Sequence, residues 1–66
     1  MKAVRINTAK EKSLANALVA LKVRFVYEYG TYYLLGTSNE DKIRNFLESN
    51  GVSTAGMPLT GVDYDF

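Results

Sequence analysis

The chain has 66 residues, of which 47% are hydrophobic, and its net charge at pH 7 is +1. This composition excludes a disordered chain, and the length allows one small domain that buries about 60% of the surface its unfolded form exposes. Because the sequence contains no Cys, disulfides and thiolate zinc sites are excluded as well.

The sequence also lacks the features of a membrane or secreted protein. The longest aliphatic run, residues 17–21, is far shorter than the ~20 residues of a membrane span. The N-terminal residues contain no apolar segment of the kind that signal peptides carry. We therefore expect a cytoplasmic protein without a membrane partner, in a host cytoplasm if a phage encodes it.

The first predicted elements are a strand and a helix. Residues Lys2–Asn7 alternate between apolar and polar positions, which predicts a half-buried strand. Thr8 and Glu11 have the spacing of a capping box, so a helix should begin there and run to about Leu21. Its buried stripe is predicted to consist of Leu14, Ala17, Leu18 and Leu21.

Residues 23–35, VRFVYEYGTYYLL, predict a β-hairpin. Gly30 suits the first position of a two-residue type II′ turn because it adopts a positive φ without a Cβ clash. A turn at Gly30-Thr31 predicts two sets of facing pairs. The inward set is Tyr29 with Tyr32, Tyr27 with Leu34 and Phe25 with Gly36, and the outward set is Glu28 with Tyr33, Val26 with Leu35 and Arg24 with Thr37.

A second helix should begin within Ser38–Asp41, where acidic residues suit the positive end of the helix dipole. Asn50-Gly51 should end it, since Gly at this place adopts the left-handed conformation. Its buried stripe is predicted to be Ile43, Phe46 and Leu47. Across the domain, we expect Leu18, Phe25, Leu34 and Phe46 to be fully buried.

The extended segment 52–66 leaves two alternatives for a fourth strand. Residues 61–66 alternate apolar and acidic side chains, so they could pair with the first strand and place Asp63 and Asp65 beside Arg5. Alternatively, residues 52–55 form that strand and the last residues are a free tail. The order β-α-β-β-α(-β) resembles the ferredoxin-like (split βαβ) fold. This resemblance implies one α+β domain over residues 1–66, in which an antiparallel sheet of strand order 4-1-3-2 carries two helices on one face.

We expect no enzymatic activity, no cofactor and no metal site. His and Cys, the commonest residues of acid–base and nucleophilic catalysis, are both missing. Asp63, Asp65 and the terminal carboxylate supply too few oxygens for a calcium site. The glycines at 51, 56 and 61 do not stand between a strand and a helix, so they do not form a phosphate loop.

The outer sheet face is the predicted binding surface. Tyr and Arg are enriched at interface hot spots, so we predict a protein-interaction module, a regulator or inhibitor of a larger partner, or a homodimer. The short length suits an accessory protein of a phage or mobile element. The alternative is an RNA- or single-stranded-DNA-binding domain that uses the Arg and Tyr side chains of this face. The expected partner-binding residues are Arg5, Arg24, Val26, Tyr33, Leu35, Tyr64 and Phe66.

Overall fold

The computed structural model describes residues 1–7 and 11–65 and has the expected α+β class. The elements in chain order are β1 (Lys2–Asn7), α1 (Glu11–Ala20), β2 (Phe25–Glu28), β3 (Thr31–Leu35), α2 (Glu40–Ser49) and β4 (Leu59–Asp63). β1 has the predicted bounds. The capping box predicted from Thr8 and Glu11 lies outside the described residues.

The four strands form one antiparallel sheet with the order β2-β3-β1-β4. The predicted order, 4-1-3-2, is this order counted from the opposite edge. The fourth strand pairs with β1, but it spans Leu59–Asp63 where the sequence predicted residues 61–66. Ile6 lies opposite Leu59, and Lys2 lies opposite Asp63. The alternative that residues 52–55 form the fourth strand is wrong, because their described backbone is not part of the sheet.

The hairpin turn lies one residue earlier than predicted. Tyr29 and Gly30, with φ of 53° and 74°, are its two central residues, and Glu28 lies opposite Thr31. Positive φ at both positions defines a type I′ turn instead of type II′. The predicted pairs are therefore wrong: Phe25 lies opposite Leu34, Tyr27 opposite Tyr32, and Val26 opposite Tyr33. The side chains of β2 and β3 still lie on their predicted faces, because the faces alternate with period two. Tyr29, predicted to face inward, instead lies in the turn and is 98% exposed.

One hydrophobic core lies between the inner sheet face and both helices. Its buried members are Val4, Ile6, Leu14, Leu18, Tyr32, Leu34, Ile43, Leu47 and Leu59. Leu18 and Leu34 are fully buried, as predicted. Phe25 is only half-buried because β2 is an edge strand, and Phe46 is 39% exposed, so these two core predictions are wrong.

Both helices end in the same hydrogen-bonded turn. After α2, the N–H groups of Gly51 and Val52 donate to the carbonyls of Glu48 and Leu47, and Gly51 has a φ of 80°. This is the Schellman arrangement that Asn50-Gly51 predicts. α1 ends in the same way, but Lys22 occupies the left-handed position with a φ of 59°. At the start of α2, the Asn39 side chain caps the helix by accepting from the Lys42 N–H.

Candidate functional site

The outer face of the sheet carries no helix, because the core residues of α1 and α2 pack with the opposite face. Register places Ala3, Arg5, Tyr33 and Leu35 on this outer face. Ala3 is fully buried although it is not a member of the core cluster between the sheet and the helices. The central strands of the outer face are therefore partly covered by neighbouring side chains of the same face.

One row of residues crosses all four strands on the outer face. Tyr33 lies opposite Val26 on one side and Arg5 on the other, and Arg5 lies opposite Thr60. Neighbouring strands are about 4.8 Å apart, so these four side chains are close neighbours. Val26, Tyr33 and Arg5 are half-buried. The row is an apolar and aromatic surface with one guanidinium on a central strand.

A second row lies one step further along the strands. Leu35 is opposite Ala3, which is opposite Val62. Arg24 adjoins this row, because its carbonyl accepts a 2.9 Å hydrogen bond from the Leu35 N–H. Leu35 is half-buried and Arg24 is exposed. The structure therefore brings Arg5, Arg24, Val26, Tyr33 and Leu35 onto one face.

Tyr64 joins the two edges of this face. It follows β4 at one edge, and its N–H donates to the Met1 carbonyl over 2.6 Å. Its ring lies against that of Tyr33, with centroids 4.7 Å apart and planes inclined by 45°. Its hydroxyl donates to Oε2 of Glu28, the last residue of β2 at the other edge, over 3.2 Å. The C-terminal segment thus contacts the sheet face predicted to bind a partner.

Arg5 has an unfulfilled donor at the centre of the same face. Its Nε atom is buried and has no hydrogen-bond partner among the described residues. A buried donor without an acceptor costs about 1–3 kcal/mol, and more when the group is charged. An acceptor of another molecule would satisfy this Nε only if the side chains that cover it moved aside.

The position of Tyr64 also raises its pKa above the ordinary value of 10.0. Desolvation of the phenol is the largest cause, followed by the hydrogen bond to Glu28 and the negative charge of that carboxylate. All three favour the protonated phenol. Tyr64 is thus a hydrogen-bond donor to Glu28 over the physiological pH range.

Asp63, the acidic residue of β4, does not lie beside Arg5. Arg5 is opposite Thr60, whereas Asp63 is opposite Lys2 and accepts from the N-terminal ammonium over 2.9 Å. The expectation that Asp63 sits beside Arg5 is therefore wrong. The reason is register: β4 begins at Leu59, so its acidic end lies at the start of β1 instead of its middle.

A shallow groove between β4 and the start of α2 is lined by Lys2, Ser38, Glu40, Gly61 and Asp63, among others. Its carboxylates already have partners within the chain. Oε2 of Glu40 accepts from the Gly61 N–H over 2.8 Å, and Asp63 accepts from the N-terminal ammonium. The first contact joins β4 to α2 and the second joins β4 to the N-terminus, so both carboxylates have a structural role.

The role of Glu28 as hydrogen-bond acceptor for Tyr64 was not predicted. Glu28 was placed opposite Tyr33, whereas it contacts Tyr64 from the far end of the chain. No local pattern links residues 28 and 64. Their proximity follows only when the pairing of β4 with β1 is known residue by residue. Phe66, also predicted to bind a partner, lies outside the described residues.

Within residues 1–7 and 11–65, no cluster of acidic side chains could hold a metal ion, and no helix is both long and apolar enough to span a membrane. No protein-family model matches the chain, and no curated protein or solved structure matches it either. The function is therefore argued from the outer face alone.

Proposed function

We propose that the chain is a small non-catalytic protein-interaction module, a regulator or inhibitor that binds a larger protein through the outer sheet face. The observation that carries the proposal is the half-buried row of Val26, Tyr33 and Arg5 on the outer sheet face, against which the Tyr64 ring also lies. Tyr and Arg supply much of the binding energy of protein interfaces. The lack of His and Cys supports a role without catalysis.

We also propose that the domain has the ferredoxin-like topology. The order β2-β3-β1-β4 with two helices on one face supports it, provided both crossover connections are right-handed. Such connections are right-handed in nearly all proteins. An experimentally determined structure tests this proposal directly. A left-handed crossover at α1 or α2 would contradict it.

The partner is expected to present apolar groups and a carboxylate. The outer face offers Val26, Leu35 and the tyrosine rings as apolar contacts, and Arg5 and Arg24 as cations. The carboxylate of Glu28, at the β2 edge of this face, already accepts from Tyr64. Charge complementarity therefore favours an acidic protein surface over a basic one.

Capture from an extract of the native cells tests the protein-binding proposal. Immobilised chain should retain a protein whether or not the extract is treated with nuclease. Arg5→Gln and Tyr33→Ser should lose that protein, because both variants alter the central row. Val19→Ser changes a side chain on α1 that is 67% exposed, so it should retain the protein. Equal capture by all three variants would contradict the proposal.

Binding of single-stranded nucleic acid is the second candidate. Arg5 and Tyr33 lie on the outer faces of β1 and β3, and Arg24 precedes β2 and bonds to Leu35 through its carbonyl. Such a surface suits stacked bases and phosphates. Titration with a labelled single strand tests this candidate. Binding should weaken steeply between low and high salt, because neutralised phosphates release counterions. A lack of binding at low salt would exclude it.

A further inference from the structure

We infer that Tyr33 and Glu28 form a binding site for a tyrosine side chain of the protein partner, and that Tyr64 occupies this tyrosine site in the free chain. The inference rests on the proposed function, since it names the chemistry that the outer face recognises. The occupant seen in the structure is itself a tyrosine whose two ends are both recognised. Its ring lies 4.7 Å from that of Tyr33, and its hydroxyl donates to Glu28.

The chemistry of the tyrosine site distinguishes Tyr from Phe. The Tyr33 ring accepts any aromatic ring in a tilted arrangement. The Glu28 carboxylate, however, needs a hydroxyl donor, and a hydrogen bond to a charged acceptor is stronger than one between neutral groups. A partner with Tyr at this place should therefore bind better than one with Phe.

Tyr64 is a weakly held occupant. It lies beyond the last residue of β4 and is only half-buried. Its hydrogen bond to Glu28 is exposed and is 3.2 Å long, against about 2.7–2.8 Å for a typical O–H···O bond. The Tyr64 N–H is bonded separately to Met1, so the side chain can rotate away while β4 stays paired. Displacement of the ring thus requires no unfolding.

Arg5 should make the tyrosine of a partner segment a better occupant of the tyrosine site than Tyr64 is. Arg5 lies directly opposite Tyr33, one strand away from the tyrosine site, and its buried Nε has no acceptor among the described residues. Asp63, the acidic residue before Tyr64, is instead paired with the N-terminal ammonium. A partner segment that carries Tyr next to an acidic residue would fill the tyrosine site and also supply a carboxylate to Arg5. The favoured ligand is therefore an extended acidic segment with one tyrosine.

A peptide titration of the whole chain tests this inference. The probe is the free peptide Val-Asp-Tyr-Asp-Phe, and the readout is the shift of the backbone amide signals of Tyr33 and Val26. Tyr64→Ala empties the tyrosine site, so it should bind the probe about tenfold more tightly than the wild type, whose own ring competes. Replacement of Tyr by Phe in the probe should weaken binding about 12-fold or more, the value of one hydrogen bond to a charged acceptor. Adding Arg5→Gln to Tyr64→Ala should also weaken it.

Two results would overturn the inference. The first is that millimolar probe leaves the Tyr33 and Val26 signals of folded Tyr64→Ala unchanged. The second is equal affinity for the Tyr and Phe probes. If Tyr64→Ala does not fold, Tyr64→Phe replaces it, since it keeps the ring and loses only the bond to Glu28. This variant should bind the Tyr probe more tightly than the wild type does, and equal binding would again overturn the inference. Capture of a protein by the wild type alongside a failed titration would leave the proposed function standing. A successful titration with no captured protein would support the tyrosine site and contradict the proposed function.

Discussion

The rings of Tyr33 and Tyr64 lie 4.7 Å apart on the outer face of the sheet, although 31 positions separate them in the chain. Tyr33 stands on β3, a central strand, and Tyr64 follows β4 at one edge. With the bond from Tyr64 to Glu28, this contact connects the C-terminal segment to the hairpin. The binding surface and the end of the chain are therefore one structural unit.

Ionisation of Tyr64 should destabilise the fold at high pH. The unfolded phenol ionises near pH 10, and the folded one keeps its proton to higher pH because its pKa is raised by desolvation and by Glu28. This stabilisation is complete below pH 10 and is lost as the pH rises through the raised pKa. The melting temperature should therefore fall less for Tyr64→Phe than for the wild type between about pH 9 and about pH 11.

Tyr29→Phe is the matched control for this pH experiment, because the Tyr29 side chain is 98% exposed at the hairpin tip. It should keep the pH dependence of the wild type. An identical fall for the wild type and Tyr64→Phe would contradict the contact between Tyr64 and Glu28.

Leu18→Ala should destabilise the protein by about 2–5 kcal/mol, because it removes a fully buried side chain from the core. A domain of this size has a small stability margin, so the variant should be largely unfolded at room temperature. Val19→Ala, one residue along the same helix and 67% exposed, should change the free energy of unfolding by less than about 0.5 kcal/mol. Circular dichroism during thermal unfolding measures both. Similar melting temperatures for the two variants would show that α1 packs through another face.

Lys22→Gly should stabilise the protein. Lys22 has a φ of 59° in the turn that ends α1, and this conformation strains any residue with a Cβ. Relief of the strain is partly offset by the greater flexibility of Gly in the unfolded chain, which leaves a net gain of up to about 1 kcal/mol. The urea midpoint should rise without a change in the m-value. Lys22→Ala removes the same charge but retains the Cβ, so a gain with Ala as large as that with Gly would contradict the explanation.

Gly61→Ala should weaken the attachment of β4 to α2. A Cβ at Gly61 would lie 2.3 Å from the Ser38 carbonyl oxygen, which is backbone and cannot rotate away. The required shift should cost about 1–3 kcal/mol. Thr60→Ala, the preceding position on the same strand, should cost less than about 1 kcal/mol. Chemical denaturation measures both, and a Gly61→Ala variant as stable as the wild type would mean that β4 does not lie this close to α2.

The hairpin shows how far local sequence patterns reach. Alternation correctly assigned the side chains of β2 and β3 to their faces, because a shift of the turn by one residue preserves the faces. It failed for Tyr29, which lies in the turn. The turn itself was misplaced, because a positive φ is unfavourable for Tyr and Gly30 was the expected first turn residue. β3 also pairs with β1, which is distant in sequence, and this pairing constrains where β3 begins. The local propensities of residues 23–35 contain no information about that contact.

Helix α2 shows a second limit. Ile43 and Leu47 are four residues apart, lie above one another on the helix and are both buried. Phe46 lies at the margin of that stripe, and its large ring remains 39% exposed. Periodicity identifies the buried side of the helix, but the exposed fraction of each side chain depends on how the helix packs on the sheet.

The candidate site was only partly predictable. Five of its residues were placed on the outer face from alternation alone, and the structure puts them there. The contact of Tyr64 with Tyr33 and Glu28 arises only after β4 has been registered against β1. It also depends on the position of Tyr64 beyond the end of β4, which no residue pattern specifies.

The nuclear Overhauser effect between the Tyr33 and Tyr64 rings tests the central claim most directly, that Tyr64 lies on the outer face in the free protein. With centroids 4.7 Å apart, the ring protons should give strong cross-peaks. The Tyr64 amide, bonded to the Met1 carbonyl, should also be protected from hydrogen exchange. An absence of ring cross-peaks, with exchange of the Tyr64 amide at the rate of an unfolded chain, would contradict the account.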